Sequence, residues 1–159
     1  MIGIVASLAL LVPNCYQPPV TSPIVDRFRA PACSYCPGNR GLEYEPPAGS
    51  RVAAVAAGIV KFSGVVALVR YLVIEQADGR SATYGRLAAA RVVVGTRVRQ
   101  GDVIGSTTDR FYFGLRVGDR YVDPAPFLGA PRHRPRLVPI DGSAARPAPP
   151  PTIACAASP

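Results

Sequence analysis

Residues 48–123 contain no proline, whereas eight prolines fall in Pro13–Pro47 and ten in Pro124–Pro159. Proline lacks the amide donor that a sheet ladder or a helix interior needs, so regular structure is expected in the proline-free stretch. The chain has 159 residues, room for one ordinary domain. With 48% hydrophobic and 18% charged residues it can bury a core, which excludes disorder from end to end. No apolar run reaches the roughly 18 residues of a membrane-spanning helix.

Within the central stretch the signals are those of strands. Val52–Phe62 is small and apolar, and β-branched Ile59 and Val60 beside Gly58 and Gly64 favour a bulged strand pair over an Ala-rich helix. Val65–Glu75 predicts a strand, Asp78-Gly79 a two-residue hairpin turn, and Ser81–Leu87 the return strand. Arg91–Val94, Val103-Ile104-Gly105, Phe111–Val117 and Arg120–Val122 predict further short strands, with turns at Gln100-Gly101-Asp102 and Gly118-Asp119 and a stop at Asp123-Pro124. Val20–Phe28 reads as a short edge strand. Frequent turns without a long amphipathic helix predict an all-β domain, an antiparallel sandwich or open barrel. Tyr84 and Phe113 read as core, and Gly58, Gly101 and Gly105 as turn or bulge positions. The domain plan is a leader-like segment over 1–14, a Pro-rich arm over 15–37, a β core over 38–128 and a disordered Pro/Arg/Ala-rich tail over 129–159.

The formal charge is +8, carried by 17 Arg and Lys61. These residues are dispersed and lack an aromatic-basic motif, so nucleic acid is not the expected partner; an anionic polymer such as a cell wall suits a positive surface. The one histidine, His133, lies in the tail, which leaves almost no material for imidazole zinc sites or His-based catalysis. Cys33-Ser34-Tyr35-Cys36 is a C-x-x-C without a second such pair and without a following helix, which favours a structural disulfide in an oxidising compartment. Cys155 has no evident partner and reads as an idle thiol or an intermolecular bridge. Met1–Pro13 has the apolar core of a secretory signal without its charged leading region, and Cys15 sits in a weak lipidation box, so export is expected and membrane anchoring left open.

Six segments occur in a fixed order. They begin with Gly38-Asn39-Arg40-Gly41-Leu42-Glu43-Tyr44, Pro47-Ala48-Gly49-Ser50-Arg51-Val52-Ala53-Ala54 and Ala57-Gly58-Ile59-Val60-Lys61-Phe62-Ser63-Gly64. They continue with Ala82-Thr83-Tyr84-Gly85-Arg86-Leu87, the Val94–Gly105 run VGTRVRQGDVIG, and the Phe113–Pro124 run FGLRVGDRYVDP. This order resembles the LytM/lysostaphin-type zinc metalloendopeptidases that cut peptidoglycan cross-links. Their pattern runs H-x-G-x-D, P-A-G-T-P-V, A-x-x-G-x-V, T-x-Y-x-H-L, V-x-x-G-x-x-V-x-x-G-x-x-I-G, then H-x-H-x-x-x-R with a closing D-P. The resemblance spans Gly38 to Leu128 and implies the family's duplicated hybrid motif fold of antiparallel sheets.

It also implies a lost metal. The family holds zinc with the His and Asp of the first motif and the second His of H-x-H, and two further histidines assist catalysis. At these positions stand Asn39, Glu43, Tyr112, Arg86 and Arg110. An amide and a neutral phenol are poor zinc ligands. Each Arg charge at about 5 Å would repel a divalent cation by roughly 6 kcal/mol at an effective dielectric near 20. Zinc is therefore expected to be absent, with no catalytic residue retained. Glu43 opposite Arg86 or Arg110, with Asn39 and Tyr112 as hydrogen-bonding groups, would form either a structural plug or a site for a carboxylate such as a cell-wall stem peptide. The expected role is a secreted or envelope-associated bacterial protein that binds peptidoglycan or regulates a cell-wall hydrolase, as degenerate relatives that activate amidases do. Two alternatives remain open: a zinc endopeptidase with altered ligands, and a basic adaptor working through its tail.

Overall fold

The structure is a computed structural model that describes residues 15–33, 35–132, 140, 147 and 152–154. The expectations for the leader over 1–14, for His133 and for Cys155 lie outside the described residues. The chain folds into β1 (Ile24–Asp26), β2 (Gly41–Tyr44), β3 (Arg51–Ala53), β4 (Gly58–Val66), β5 (Val69–Glu75), β6 (Arg80–Ala90), β7 (Arg97–Val98), β8 (Val103–Val117) and β9 (Arg120–Val122). A turn of 3-10 helix, Ala125–Phe127, follows. The expected open antiparallel architecture is one continuous nine-stranded sheet in the order β1-β2-β8-β6-β5-β4-β7, with β3 and β9 also paired to β8.

Strand β8 is the spine. Its 15 residues alternate, so that Phe111, Phe113 and Leu115 are fully buried while Tyr112 and Arg116 face outward. The inner face meets Leu42, Tyr44, Leu72, Ile74, Ala82 and Tyr84, all buried. Tyr84 and Phe113 pack with ring centroids 5.4 Å apart, and the Tyr84 hydroxyl accepts the Val55 N–H at 2.9 Å. The Pro-rich arm belongs to this core. Tyr16 is fully buried, donates from its hydroxyl to Gln76, and stacks on Phe127 at 5.7 Å. Its backbone joins both ends of the core, with Tyr16 N–H donating to Phe127 O and Gly129 N–H donating to Tyr16 O, each at 2.8 Å.

Several local expectations are corrected. The strand predicted over Val65–Glu75 is broken: β4 runs on to Val66, and the chain reverses at Ala67 and Leu68, whose φ angles are +47° and +66°. Such a turn ordinarily uses Asn-Gly, so nothing local marked it. The Asp78-Gly79 turn is a three-residue loop: Gly79 N–H donates to Gln76 O at 3.0 Å, and Gly79 takes φ +81°. Arg91–Val94 is loop, and the two strands expected at Val103–Gly105 and Phe111–Val117 are one. In the stretch expected to be disordered, β10 (Ala130–Arg132) and β11 (Thr152–Ala154) pair antiparallel. Cys33 and Cys36 form the expected disulfide, and Cys15 is also disulfide-bonded.

Ala67 and Leu68 are both held where an L side chain costs roughly 1 kcal/mol or more. Replacing the pair by Ala67→Asn with Leu68→Gly is expected to raise unfolding stability by about 1 kcal/mol in urea denaturation, with an unchanged m-value.

Candidate functional site

The outer face of the sheet is built in rows by the strand register. One row runs Glu43 (β2), Tyr112 (β8), Gly85 (β6), Tyr71 (β5) and Gly64 (β4). The next runs Gly41, Gly114, Thr83, Val73 and Phe62 on the same strands. The glycines make this face distinctive. A Cβ at Gly41 would stand 2.7 Å from the Tyr112 ring, one at Gly114 would stand 2.6 Å from the Tyr112 hydroxyl, and one at Gly85 would stand 2.7 Å from the Tyr71 ring. The tyrosine rings therefore lie down on bare backbone, where any other residue would push them up.

At the end of the first row, β6 bulges between Gly85 and Leu87. Arg86 occupies the bulge with φ +60° and sends its guanidinium across to Glu43 at 2.9 and 3.3 Å. Both side chains are about one-quarter to one-third exposed, at 34% and 25%. A bidentate, partly desolvated pair of this kind is stronger than an ordinary surface ion pair.

Of the two partners considered for Glu43, the structure selects Arg86. Arg110 instead reaches Glu45 at 3.5 Å in an exposed pair. Asn39 is buried and turned inward, donating from Nδ2 to Arg27 O at 3.1 Å and accepting the Gly41 N–H at 3.2 Å, so its amide secures the arm to β2. Burial raises the Tyr112 phenol well above its ordinary pKa, with Tyr121 and Tyr71 acting in the same direction, and it stays protonated at neutral pH.

These residues do not fit zinc. The Asn39 amide is spent on backbone groups and the Glu43 carboxylate on a guanidinium, and a neutral phenol such as Tyr112 is a poor zinc ligand. Among the described residues, no three His, Cys, Asp or Glu side chains are grouped so as to hold a metal ion. Phe62, Tyr71, Arg116 and Tyr121 share this face, and sequence alone assigned none of them a site role. The glycines beneath Phe62 and Tyr71 become a signal only once the register is known.

Arg86 balances two effects of similar size: a left-handed backbone costing roughly 1–2 kcal/mol and a partly buried ion pair contributing about 1 kcal/mol. Arg86→Gly relieves the first and loses the second, so its stability should stay within about 0.5 kcal/mol of the parent. Arg86→Ala keeps the strain and should lose about 1 kcal/mol; thermal or urea melts of the two variants check the difference.

Residues 37–124 match Peptidase family M23. A search of curated proteins returned no match. Among solved structures, Helicobacter pylori Csd3 is similar with TM-score 0.64 and 21% identity, covering 73% of this chain and 35% of its own. This chain thus spans little more than a third of the Csd3 chain. The catalytic domain of lysostaphin, an antimicrobial peptidase from Staphylococcus simulans, is similar with TM-score 0.59 and 20% identity, covering 67% of this chain and 91% of that one. The SpoIIQ–SpoIIIAH pore forming complex aligns with TM-score 0.62 and 19% identity over 72% of this chain and 90% of that one. The family match covers more than half of the sequence and the likenesses share its sheet, so the chain belongs to Peptidase family M23.

Proposed function

We propose that this chain is a non-hydrolytic M23 protein of the bacterial envelope whose groove holds peptidoglycan. The observation that carries the reading is the Glu43–Arg86 pair, which stands where the family places a zinc ligand and a catalytic histidine. A cation site has become a salt bridge, and salt bridges exchange partners. A stem-peptide carboxylate entering the groove displaces Glu43 from Arg86 and gains the same bidentate donors. The net charge of +8 draws an anionic polymer toward the domain. The exposed Arg110 stands on the same strand as Tyr112 and offers a second cation. No zinc is required for any of this, and none is expected to bind.

Glu43 competes with the ligand in this scheme. Sedimentation with isolated cell walls should therefore show Glu43→Gln binding several-fold more tightly, and Arg86→Ala weaker by about tenfold. Equal retention of both variants would reduce the pair to a structural plug. Stoichiometric zinc in the purified protein, lost on Glu43→Ala and accompanied by wall hydrolysis, would establish a peptidase with altered ligands instead. Retention of a cell-wall hydrolase in place of the wall would make the domain a regulator.

A further inference from the structure

Beside the ion pair, the outer face opens into a trough of about 590 Å3, walled by Phe62, Tyr71, Thr83, Tyr112, Arg116 and Tyr121. Its rings are laid flat by the glycines. Tyr112 rests on Gly41 and Gly114, Tyr71 on Gly85, and Phe62 on Gly64, whose Cβ would meet the Phe62 ring at 3.0 Å. Each of these rings spends one face on backbone and turns the other toward the trough. Phe62 and Tyr121 are 38% and 42% exposed, more than packing alone would leave to aromatic rings. Two guanidinium groups lie over the Tyr121 ring, with Arg40 Cζ at 5.7 Å and Arg116 Cζ at 5.5 Å from its centroid. Arg116 donates from one terminal nitrogen to Asp119 at 3.1 Å, while its Nε is buried and has no hydrogen-bond partner.

This combination selects its ligand. A pyranose ring presents flat C–H faces to an aromatic ring and hydroxyl or acetamido oxygens around its rim, where a guanidinium can reach them. A peptide that added itself as a further strand would need a free strand edge for its backbone. The trough instead lies on the face of β4, β5, β6 and β8, whose backbone groups are already engaged across most of their length. We infer that the trough binds the sugar strand of the cell-wall polymer, stacking N-acetylated pyranose rings on Tyr112, Tyr71 and Phe62, with Tyr121 and the exposed end of the Arg116 guanidinium at the rim, where they meet the ring substituents. The inference rests on the reading of this chain as a peptidoglycan binder and assigns the part of the polymer that is held. Tyr112 borders both the trough and the ion pair, so glycan and stem peptide are engaged side by side.

The chain has seven Tyr and no Trp, so tyrosine emission reports ring stacking directly. Titration of the full chain with chitotetraose, a neutral N-acetylglucosamine tetramer, is expected to change that emission saturably. Tyr121→Ala and Phe62→Ala, each removing a ring from the surface and not the core, should weaken binding by about tenfold or more with little change in melting temperature. Tyr121→Trp should restore it. The same variants are then sedimented with intact walls and with walls enzymatically stripped of stem peptides. Retention that survives stripping and falls with Tyr121→Ala supports the trough. Retention that vanishes with the stems and ignores Tyr121→Ala overturns it while leaving peptidoglycan binding in place. Chitotetraose binding without retention on either wall keeps the trough and overturns the wall-binding reading. Binding of an apolar peptide, with no response to the tetrasaccharide, overturns the sugar assignment.

Discussion

Strand β8 pairs with β2, β3, β6 and β9 along its 15 residues, and no other strand touches so many partners. Its two-residue period divides the molecule. Phe111, Phe113 and Leu115 point into the core, and Tyr112, Gly114 and Arg116 form the centre of the outer face. Core and site are therefore opposite sides of one ladder. A slip of one residue would expose the phenylalanines and bury an arginine, so the packing energy of the core also fixes the position of the site.

A carboxylate kept on a half-buried sheet face needs a positive partner, and Arg86 supplies it from a bulge in β6 at the cost of a left-handed backbone. Beside it Tyr112 lies on Gly41 and Gly114. The scaffold is held by its apolar core and by backbone pairing, so its shape does not depend on a cation. The contributions of Tyr16 and Val20 show that the arm takes part in that core, pinned by Asn39 and by the Gln100 amide, which donates to Cys15 O and Val55 O at 2.6 and 2.9 Å.

The strand-rich class, the burial of Tyr84 and Phe113, the Cys33–Cys36 bridge and the family itself were legible in the sequence, because each rests on local composition or on ordered motifs. The reversal at Ala67-Leu68 was not. Ala and Leu seldom adopt positive φ, and only the pairing of β4 with β5 over Ile59–Val66 forces the turn there. The fusion of two predicted strands into β8 was hidden by Gly105 and by the polar Ser106–Arg110 run, which look like a break until β3 and β6 are seen flanking it. In the site, aligned motifs named Glu43 and Arg86 but left two arginines in competition. Distance along the chain says nothing about which one crosses the sheet. The aromatic trough was the least legible part. Its rings come from four strands, and three of them lie on glycines of their own or a neighbouring strand, a relation visible only once the strands are paired.

Tyr16 and Leu128 lie side by side in a parallel bridge, bracketing everything between them. The polypeptide enters and leaves the sheet through one doorway. Whatever is fused ahead of that point and whatever trails behind it start within a few ångströms of each other, so the folded unit hangs from its neighbours as a pendant and is not threaded between them.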